Sequence, residues 1–344
     1  MMKRKIVVGV SGGVDSAACV LMLKEAGYEV VGVMLSMWGN DDGRAADYLS
    51  GALGVRVLWR DVRSRFEHSV IEPYIEGLLA GTTPSPCTVC NPEVKWRELV
   101  CAARQTGAEQ WATGHYCRVV EHDGRRYVAR GADKLKDQSY YLWRLDDQML
   151  DGAVMPLGGC LKSDVKEMVA SAGLCSIAAK RESMSVCFFG GGGYGDLLRQ
   201  RCEVDSLRGG KVCDMAGRVI ATHEGFPFYT IGQRKGLDIP RGMCVVRIEA
   251  ATNTLYIGAA DSLYADTIRL RDVVVRNDDE VFDSDRLRVA VRGIGRNPEG
   301  VALARPCDGG IEVKLGTPGA WAVCKGQPAV FYIDDRVVGG GVIC

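Results

Sequence analysis

The sequence lacks an excess of charge of either sign. Its 43 basic and 43 acidic residues give a formal net charge of +0 over 344 residues, so there is no global positive field to attract a polyanion. Any contact with nucleic acid must come from local basic patches. The chain also lacks a long apolar run. The run near its start spans only Ile6 to Val10, too short for a signal peptide, and no stretch approaches a membrane span. We therefore expect a cytoplasmic protein with no membrane partner.

Cysteine, by contrast, is abundant, with 14 residues. Most stand singly among apolar residues, as small buried hydrophobes do, and unlike the clustered cysteines of a short secreted framework. The exceptions are Cys87 and Cys90 in TPSPCTVCNP, together with Cys187. A Cys-x-x-Cys pair fits half a zinc site, a redox dithiol, an iron–sulfur ligand pair or a catalytic thiol. Zinc is disfavoured because no second Cys-x-x-Cys or His pair is present to complete the site.

The first part of the chain has the pattern of a parallel α/β sheet. RKIVVGV reads as a buried strand, VDSAACVLMLKEAG as a helix, and YEVVGVMLS as the next strand. Such a βα unit binds its ligand at the carboxyl end of the strand. The pattern continues through GVRVLWRD, the helical SRFEHSVIEPYIEGLLAG and the strand EQWATGHY. We expect Gly114 and His115, at the end of that strand, to face the same crevice.

The loop SGGVDS after the first strand carries anion-binding chemistry. Gly12 and Gly13 let backbone N–H groups approach an anion closely, and the following helix adds positive potential. The hydroxyls of Ser11 and Ser16 can donate to phosphate oxygens. Asp15 would repel a phosphate unless a cation intervened, which points to Mg²⁺. A glycine turn with an Asp or Ser helix cap is the alternative from these residues alone. The loop is neither a Walker A motif nor a dinucleotide fingerprint; it resembles the loop of PP-loop pyrophosphatases, which adenylate a carbonyl oxygen with ATP.

Seven segments identify a closer resemblance. They are SGGVDS (11–16), TPSPCTVCN (83–91), ATGHY (112–116), KDQSYYL (136–142), SVCFFG (185–190), YTIGQRKGL (229–237) and KGQPAVFY (325–332). In this order they resemble the bacterial and organellar tRNA-specific 2-thiouridylases (MnmA/TrmU), over nearly the whole chain. The resemblance implies a tRNA-uridine 2-sulfurtransferase, which transfers sulfur to C2 of the wobble uridine and converts ATP to AMP and pyrophosphate. It also implies tRNA and a sulfur-donor protein or relay as partners. We expect a monomer.

The resemblance and the residue pattern together predict three domains. We expect an α/β PP-loop (adenine nucleotide alpha hydrolase-like) parallel-sheet domain at 1–198, which is the catalytic domain. A small central mixed or β domain, with tRNA-binding GQRKGL, follows at 203–262. From about 265, short alternating strands predict a C-terminal β-barrel (265–344) on a scale of six strands. GGGG (190–193) is expected to be mobile beside Cys187.

The resemblance assigns Cys90 and Cys187 as the two working thiols. Adenylation makes the C2 oxygen a leaving group, and a persulfide on Cys187 then delivers sulfur to C2. Cys90, as the nucleophile, either attacks the terminal sulfur or resolves Cys187 into a disulfide. Thiolates are the active form, so both should lie near positive potential and be at least transiently exposed. The two are far apart in the chain, so only the fold can bring them together.

The chain departs from the family at Cys87. The best-known members have an aspartate there and an asparagine at the position of Ser85, in the region that meets the target base. One reading is a neutral substitution beside a conventional thiol pair. Another is that Cys87, Cys90 and Cys187 hold a 4Fe–4S cluster with one open iron. A different PP-loop ligase acting on a small molecule would need neither Cys90 nor Cys187. A non-catalytic tRNA-binding protein is disfavoured by the intact SGGVDS loop.

The remaining site residues follow from the same resemblance. ATP is expected at Gly9, Val10, Ser11, Gly12, Gly13, Val14, Asp15, Ser16, Leu35 and Gly114. Contacts with tRNA are expected at Ser85, Pro86, Cys87, His115, Lys136, Asp137, Gln138 and Gln327. The family's Arg-Tyr pair falls at Ile294–Gly295, where Arg292 or Arg296 is the candidate replacement. A hairpin that turns at HDG offers a basic patch for RNA, formed by Arg118, Arg125, Arg126, Arg130, Lys134 and Lys136.

Overall fold

The computed structural model describes residues 3–39, 43–180, 186–189, 193–282 and 284–344. The chain forms two compact units. The first contains residues 1–70, 87–184 and 335–337, and the second contains 71–86, 185–334 and 338–344. The Ser185 position of SVCFFG and residues 190–192 of the glycine run lie outside the described residues.

The helices and strands are distributed differently along the chain, with helices mostly in its first half. The helices are α1 (Val14–Glu25), α2 (Arg44–Leu53), α3 (Arg63–Phe66), α4 (Glu72–Leu79), α5 (Pro86–Cys90), α6 (Arg97–Thr106), α7 (Asp147–Asp151), α8 (Lys162–Ser171), α9 (Cys175–Ala178), α10 (Tyr194–Arg201) and α11 (Asp278–Phe282). The strands of the first half are β1 (Lys5–Gly9), β2 (Glu29–Ser36), β3 (Arg56–Asp61), β4 (Gln110–Ala112), β5 (Cys117–His122), β6 (Arg125–Arg130) and β7 (Ala153–Val154). Those of the second half are β8 (Gly210–Cys213), β9 (Val219–His223), β10 (Met243–Glu249), β11 (Thr254–Ala259), β12 (Tyr264–Ala265), β13 (Thr267–Val275), β14 (Arg288–Ala290), β15 (Leu303–Cys307), β16 (Gly310–Lys314), β17 (Ala320–Trp321), β18 (Pro328–Ile333) and β19 (Arg336–Ile343).

The first unit is built on a parallel sheet with strand order β3-β2-β1-β4-β7. Ile6, Val7 and Val8 of β1 are fully buried because both faces of the sheet are covered, which explains the continuous apolar run. The chain passes from β1 to β2 on one side and later to β4 on the other. The crevice between the carboxyl ends of β1 and β4 is therefore the topological switch point, where open α/β sheets bind ligands. The predicted sheet and its crevice are confirmed.

The basic hairpin of the first unit forms as expected. β5 and β6 pair in antiparallel register from Cys117↔Arg130 to His122↔Arg125. Asp123 and Gly124 both have positive φ, 48° and 72°, the combination that a tight two-residue hairpin turn requires. Several of its basic side chains serve the fold. Arg126 donates to the carbonyls of Leu150 and Ala153 at 2.6 and 2.9 Å.

The second unit is mainly β. A four-stranded sheet of order β10-β11-β8-β9 has a core that includes Val212, Val245, Leu255 and Ile257, all fully buried. A larger antiparallel sheet runs β14-β18-β19-β13-β16-β15, and β12 pairs with β17. Six strands of this sheet come from the second half of the chain, which is the scale that the alternating pattern predicts. Every residue of β18 is buried, as expected for a strand at the centre of a β domain. Among the described residues, no helix is both long enough and apolar enough to cross a bilayer.

Candidate active site

The SGGVDS loop leaves β1 and enters α1 in a compact turn. Gly12 has φ +72°, which an L side chain rarely adopts. The hydroxyl of Ser16 donates to the Gly13 carbonyl at 3.0 Å and accepts from the Ser11 amide at 3.2 Å. Gly13 is the N-cap, and no described side chain caps the helix. The turn is therefore held by Ser16 from inside the helix, and the positive end of α1 is left for a ligand.

Gly114 allows the end of β4 to lie directly against this loop. A Cβ atom at Gly114 would stand 3.1 Å from the Asp15 carbonyl carbon, from the Asp15 Cβ and from the Ser16 amide nitrogen. Only glycine tolerates such an approach without displacement of the loop. The expectation that ATGHY and SGGVDS face one crevice is met, and this residue explains how.

A cleft of about 430 Å³ opens at this switch point. Its walls contain Gly9, Val10, Ser11, Asp15, Ser16, Val33, Met34, Leu35, Ser36, Met37, Trp38, Lys95, Leu99, Thr113, Gly114, His115 and Gln138. Seven of the ten expected ATP-binding residues are among them, as are the expected tRNA contacts His115 and Gln138. Gly12, Gly13 and Val14 belong to the same loop but not to the cleft wall. The volume lies within the range typical of small-molecule sites.

Two charged groups in and beside the cleft are not predicted from the sequence. Lys95 lines the cleft and lies in CNPEVKW, shortly after Cys90. Its position close to the Cys-x-x-Cys motif is the sequence feature that could have indicated it. Lys162 reaches the loop from α8, with its Nζ 2.6 Å from Asp15 Oδ1. The hydroxyl of Tyr116 donates to the same oxygen at 2.8 Å. Burial, and next the hydrogen bond to Asp15, raise the pKa of Tyr116, so it remains a neutral donor.

His115 is a neutral side chain in this cleft. Its Nδ1 lies 2.8 Å from the Thr113 hydroxyl. Burial, and then the nearby charge of Lys95, lower the pKa of His115 to about 3. Its ring can therefore donate or accept a hydrogen bond near neutral pH but carries no charge. Ser36 adds a buried hydroxyl that has no hydrogen-bond partner among the described residues.

The Cys-x-x-Cys pair lies on a short helix, α5. Cys87 is partly exposed, while Cys90, at the end of the helix, is 4% exposed. A π-helical turn, Asn91–Trp96, follows before α6, and such turns are frequent at functional sites. Asn91 donates to the Tyr141 carbonyl at 3.0 Å, and its Oδ1 is buried with no hydrogen-bond partner within the described part of the chain. Cys90 must become more exposed than it is here before it can react with a macromolecule.

Cys187 belongs to the second unit, whereas Cys90 belongs to the first. It is exposed and opens a short 3₁₀ turn, Cys187–Phe189. The two phenylalanines after it pack on Tyr74, each with its ring centroid 6.0 Å from that of the tyrosine. These aromatic contacts hold the turn in place. The Cys187 thiol is therefore exposed to solvent at the start of a turn whose other residues are packed.

The expected tRNA-contacting residues occupy varied environments. Asp137 accepts from the Gly131 amide at 2.9 Å and from the Ser139 hydroxyl at 2.8 Å, so it shapes its own loop. Gln138 Oε1 accepts from the Tyr116 amide at 3.0 Å. Lys136 is partly exposed beside them. This segment therefore forms an ordered wall next to His115.

In the second unit, Gln327 Nε2 donates to the Thr83 carbonyl at 2.5 Å, and the Thr83 amide donates to the Lys325 carbonyl at 2.8 Å. Gln327 thus holds the start of the TPSPC segment, in which Ser85 is partly exposed and Pro86 is buried. Of the two candidate arginines, Arg292 donates to the Trp321 and Ala322 carbonyls, whereas Arg296 is exposed.

No group of three or more His, Cys, Asp or Glu side chains is arranged to hold a metal ion among the residues that the structure describes. Cys87 and Cys90 are therefore not joined there by a further ligand in a ready-made site.

The parallel sheet, the loop after β1 and the cleft beside it define a nucleotide-binding α/β protein. Three family models match the chain in order: a tRNA methyl transferase HUP domain over 4–191, a tRNA methyl transferase PRC-barrel domain over 196–259, and an aminomethyltransferase β-barrel domain over 265–343. The fold class expected from the sequence is confirmed.

Relatives identify the family. The chain is 39% identical over 345 residues to the tRNA-specific 2-thiouridylase MnmA 3 of Bacteroides fragilis, covering 99% of the chain and 94% of the relative. It is 35% identical over 363 residues to the tRNA-specific 2-thiouridylase MnmA of Chlorobium luteolum, covering 99% and 96%. The chain belongs to the tRNA-specific 2-thiouridylase (MnmA) family. A solved structure, the NMN synthetase of Francisella tularensis, is similar at 17% identity and a TM-score of 0.33, over 52% of this chain and 66% of that one, too distant to support any argument.

Proposed function

We propose that this protein thiolates tRNA: it adenylates the C2 oxygen of the wobble uridine with ATP and replaces that oxygen by sulfur. The observation that carries the proposal is the cleft at the switch point, where the phosphate loop, Leu35 and Gly114 line one cavity together with His115 and Gln138. A cleft with these walls holds ATP at the loop and leaves its other side for the target base. The pyrophosphate of ATP departs at the loop, and AMP departs from C2 when sulfur attacks.

Asp15 and the loop hydroxyls are suited to the phosphate chain. Asp15 Oδ1 is bound by Lys162 and Tyr116, and its other carboxylate oxygen accepts no hydrogen bond from the described residues. That oxygen fits a Mg²⁺ ligand, because the ion prefers carboxylate and phosphate oxygens. Magnesium would screen the charge of the phosphates when bound. The loop itself contributes the Ser11 hydroxyl and the uncapped end of α1, while the Ser16 hydroxyl holds the turn through its bond to the Gly13 carbonyl.

Sulfur transfer is assigned to Cys187 and Cys90. The terminal sulfur of a Cys187 persulfide bonds to C2, and the C2–oxygen bond to AMP breaks. Cys90 thiolate then attacks Cys187 Sγ, which breaks the persulfide S–S bond, leaves 2-thiouridine and forms a Cys90–Cys187 disulfide. A dithiol reductant must reduce that disulfide before the next turnover. In the other route, Cys90 attacks the terminal sulfur first and carries it. The exposure of Cys187 suits a thiol that receives sulfur from a donor protein.

The segments expected to contact tRNA are proposed to bind the target base and the tRNA around it. Ser85, Pro86 and Cys87 precede Cys90 in the sequence and are proposed to contact tRNA. His115, Lys136, Asp137 and Gln138 are proposed contacts of the first unit, where His115 and Gln138 line the cleft. Gln327 and the exposed Arg296 are proposed as contacts of the β-barrel domain with tRNA. Neutral His115 can exchange hydrogen bonds with a base without adding charge to the cleft. We propose the cytoplasm as the location.

Two alternatives make different demands on the cysteines. A 4Fe–4S cluster on Cys87, Cys90 and Cys187 would require all three thiolates together. A PP-loop ligase for a small molecule would require none of them. Methyl transfer, which the description of two matching family models mentions, would likewise require neither Cys90 nor Cys187. The persulfide route is preferred because Cys90 and Cys187 suffice for it.

A single-turnover assay tests the proposal. Protein loaded with persulfide is mixed with ATP, Mg²⁺ and unmodified tRNA, and nucleosides are analysed by mass spectrometry. Cys187→Ser should form no 2-thiouridine but bind ATP as wild type does, since this swap changes little volume. Cys307→Ser is the matched control, because Cys307 is also an exposed cysteine of the second unit. Thiolation by Cys187→Ser at the wild-type rate would refute the assignment.

A further inference from the structure

We propose that Lys162 is a positioning residue of the phosphate loop: its ammonium neutralises Asp15, so that a loop containing a carboxylate can accept the phosphate chain of ATP. The inference rests on the proposed ATP site and deepens it. Lys162 lies outside all seven motifs, and the sequence alone left the charge of Asp15 to a metal ion. The structure supplies a cation from the chain itself.

Lys162 is held at both ends. It begins α8, and its backbone amide donates to Asp133 Oδ2 at 3.0 Å. Its Nζ lies 2.6 Å from Asp15 Oδ1, and its side chain is only 10% exposed. A lysine is rarely buried to this extent unless it is paired. The geometry therefore fixes the ammonium at the loop rather than leaving it to solvent.

Asp15 is the group in the loop that most needs such a partner. Its side chain is 35% exposed and lines the cleft beside Ser11 and Ser16. An unpaired carboxylate there would repel each phosphate that approached the hydroxyls. Lys162 is the buried member of the pair and Asp15 the partly exposed one, so removing the ammonium leaves an uncompensated carboxylate facing the cleft. Loss of the Lys162 charge should therefore weaken phosphate binding through Asp15.

A second ammonium adds to the positive character of the loop. Lys180 Nζ donates to the Gly12 carbonyl at 2.9 Å. This bond involves a neutral acceptor, so the charge of Lys180 is not cancelled by it. Because Lys162 neutralises the charge of Asp15, Asp15 does not cancel the positive charge of Lys180. The net charge at the loop is then positive and favours binding of a polyanion.

The test measures inorganic pyrophosphate and adenosine binding to the full chain by titration calorimetry in buffer with Mg²⁺. Lys162→Met should weaken pyrophosphate binding by about tenfold or more, equal to about 1.4 kcal/mol, and leave adenosine binding unchanged. Lys166→Met is the matched control, since Lys166 lies one turn later in α8 and is exposed. Unchanged pyrophosphate affinity in Lys162→Met would overturn the proposal. A parallel loss of adenosine would also overturn it, because that result indicates a general structural role.

The same substitution on an Asp15→Asn background distinguishes neutralisation from direct phosphate contact. With no carboxylate to neutralise, Lys162→Met should change pyrophosphate affinity by less than about twofold relative to Asp15→Asn alone. An undiminished tenfold loss in the double variant would refute neutralisation. Lys162→Arg keeps the charge, so it should keep most of the affinity, and a tenfold loss there would contradict the account even if the methionine variant failed to fold. Should wild-type protein bind neither ATP nor pyrophosphate, the proposed ATP site fails, whatever Lys162 does.

Discussion

Replacing Gly114 by alanine should damage the ATP site by displacing the phosphate loop. The added Cβ would stand 3.1 Å from two carbon atoms of Asp15 and from the Ser16 amide nitrogen. Carbon atoms pack best at about 3.5 Å or more, so each neighbour must move by about 0.4 Å. Two of these three atoms belong to the backbone of the loop, which cannot rotate away as a side chain end could. Overpacking of this kind costs about 1–3 kcal/mol.

Denaturant unfolding and ATP titration measure the two consequences. Gly114→Ala should lower the free energy of unfolding by about 1–3 kcal/mol and weaken ATP binding by about tenfold or more. Gly51→Ala is the control, because Gly51 lies in α2 and a Cβ added there would meet no heavy atom within 4 Å. Alanine at that helical position should stabilise the protein by about 0.5–1 kcal/mol. Wild-type ATP affinity and stability in Gly114→Ala would refute the close approach.

Three further predictions concern single side chains. Cys87→Asp in aerobically purified protein should retain thiolation in the persulfide route; simultaneous loss of iron, brown colour and activity from anaerobic protein would favour the cluster instead. The pKa of His115 is lowered to about 3 in the folded protein. Between that value and the ordinary histidine pKa, the unfolded chain binds a proton at His115 that the folded protein does not bind. Wild-type stability should therefore fall as the pH drops from 7 to 5, and His115→Asn should lose about 2 kcal/mol of that dependence in denaturant unfolding; an identical pH dependence would contradict the shift. Arg296→Ala should weaken tRNA binding in a filter assay with unchanged stability, whereas Arg292→Ala should lower stability because it frees two carbonyls; the reverse pattern would refute the assignment.

The local sequence predicts those parts of the fold whose signal is local. β1, α1 and β2 follow from an apolar run, a glycine loop and helical periodicity, and the hairpin turn follows from Asp123–Gly124. β15 is not predicted, because Pro306 interrupts its sequence. It forms by antiparallel pairing with β16, from Leu303↔Lys314 to Cys307↔Gly310. Two-residue strands such as β7 have too little sequence to show any period.

Site residues can be predicted from the sequence when they lie in a recognisable motif. They cannot be predicted when only the folded chain brings them to the site. Asp15 and Gly114 lie in recognisable segments. Lys162 comes from the first turn of a helix 147 residues further along the chain, and nothing in the local sequence of α8 announces its contact with Asp15. Lys95 is not predicted for another reason: the segment that contains it also contains Cys87 and Cys90, and the segment is interpreted through those two thiols. The burial of Cys90 is also unpredictable, because exposure depends on what packs over a short helix.

The coupling of ATP cleavage to thiolation is the most direct test of the account. Wild-type protein with a persulfide donor, a dithiol reductant and tRNA should release one AMP and one pyrophosphate for each 2-thiouridine formed. The thiouridine should lie at the wobble position. The same tRNA with cytidine at that position should give none of these products beyond background. Thiolation without pyrophosphate release, or pyrophosphate release that is independent of tRNA and yields no thiouridine, would contradict the account.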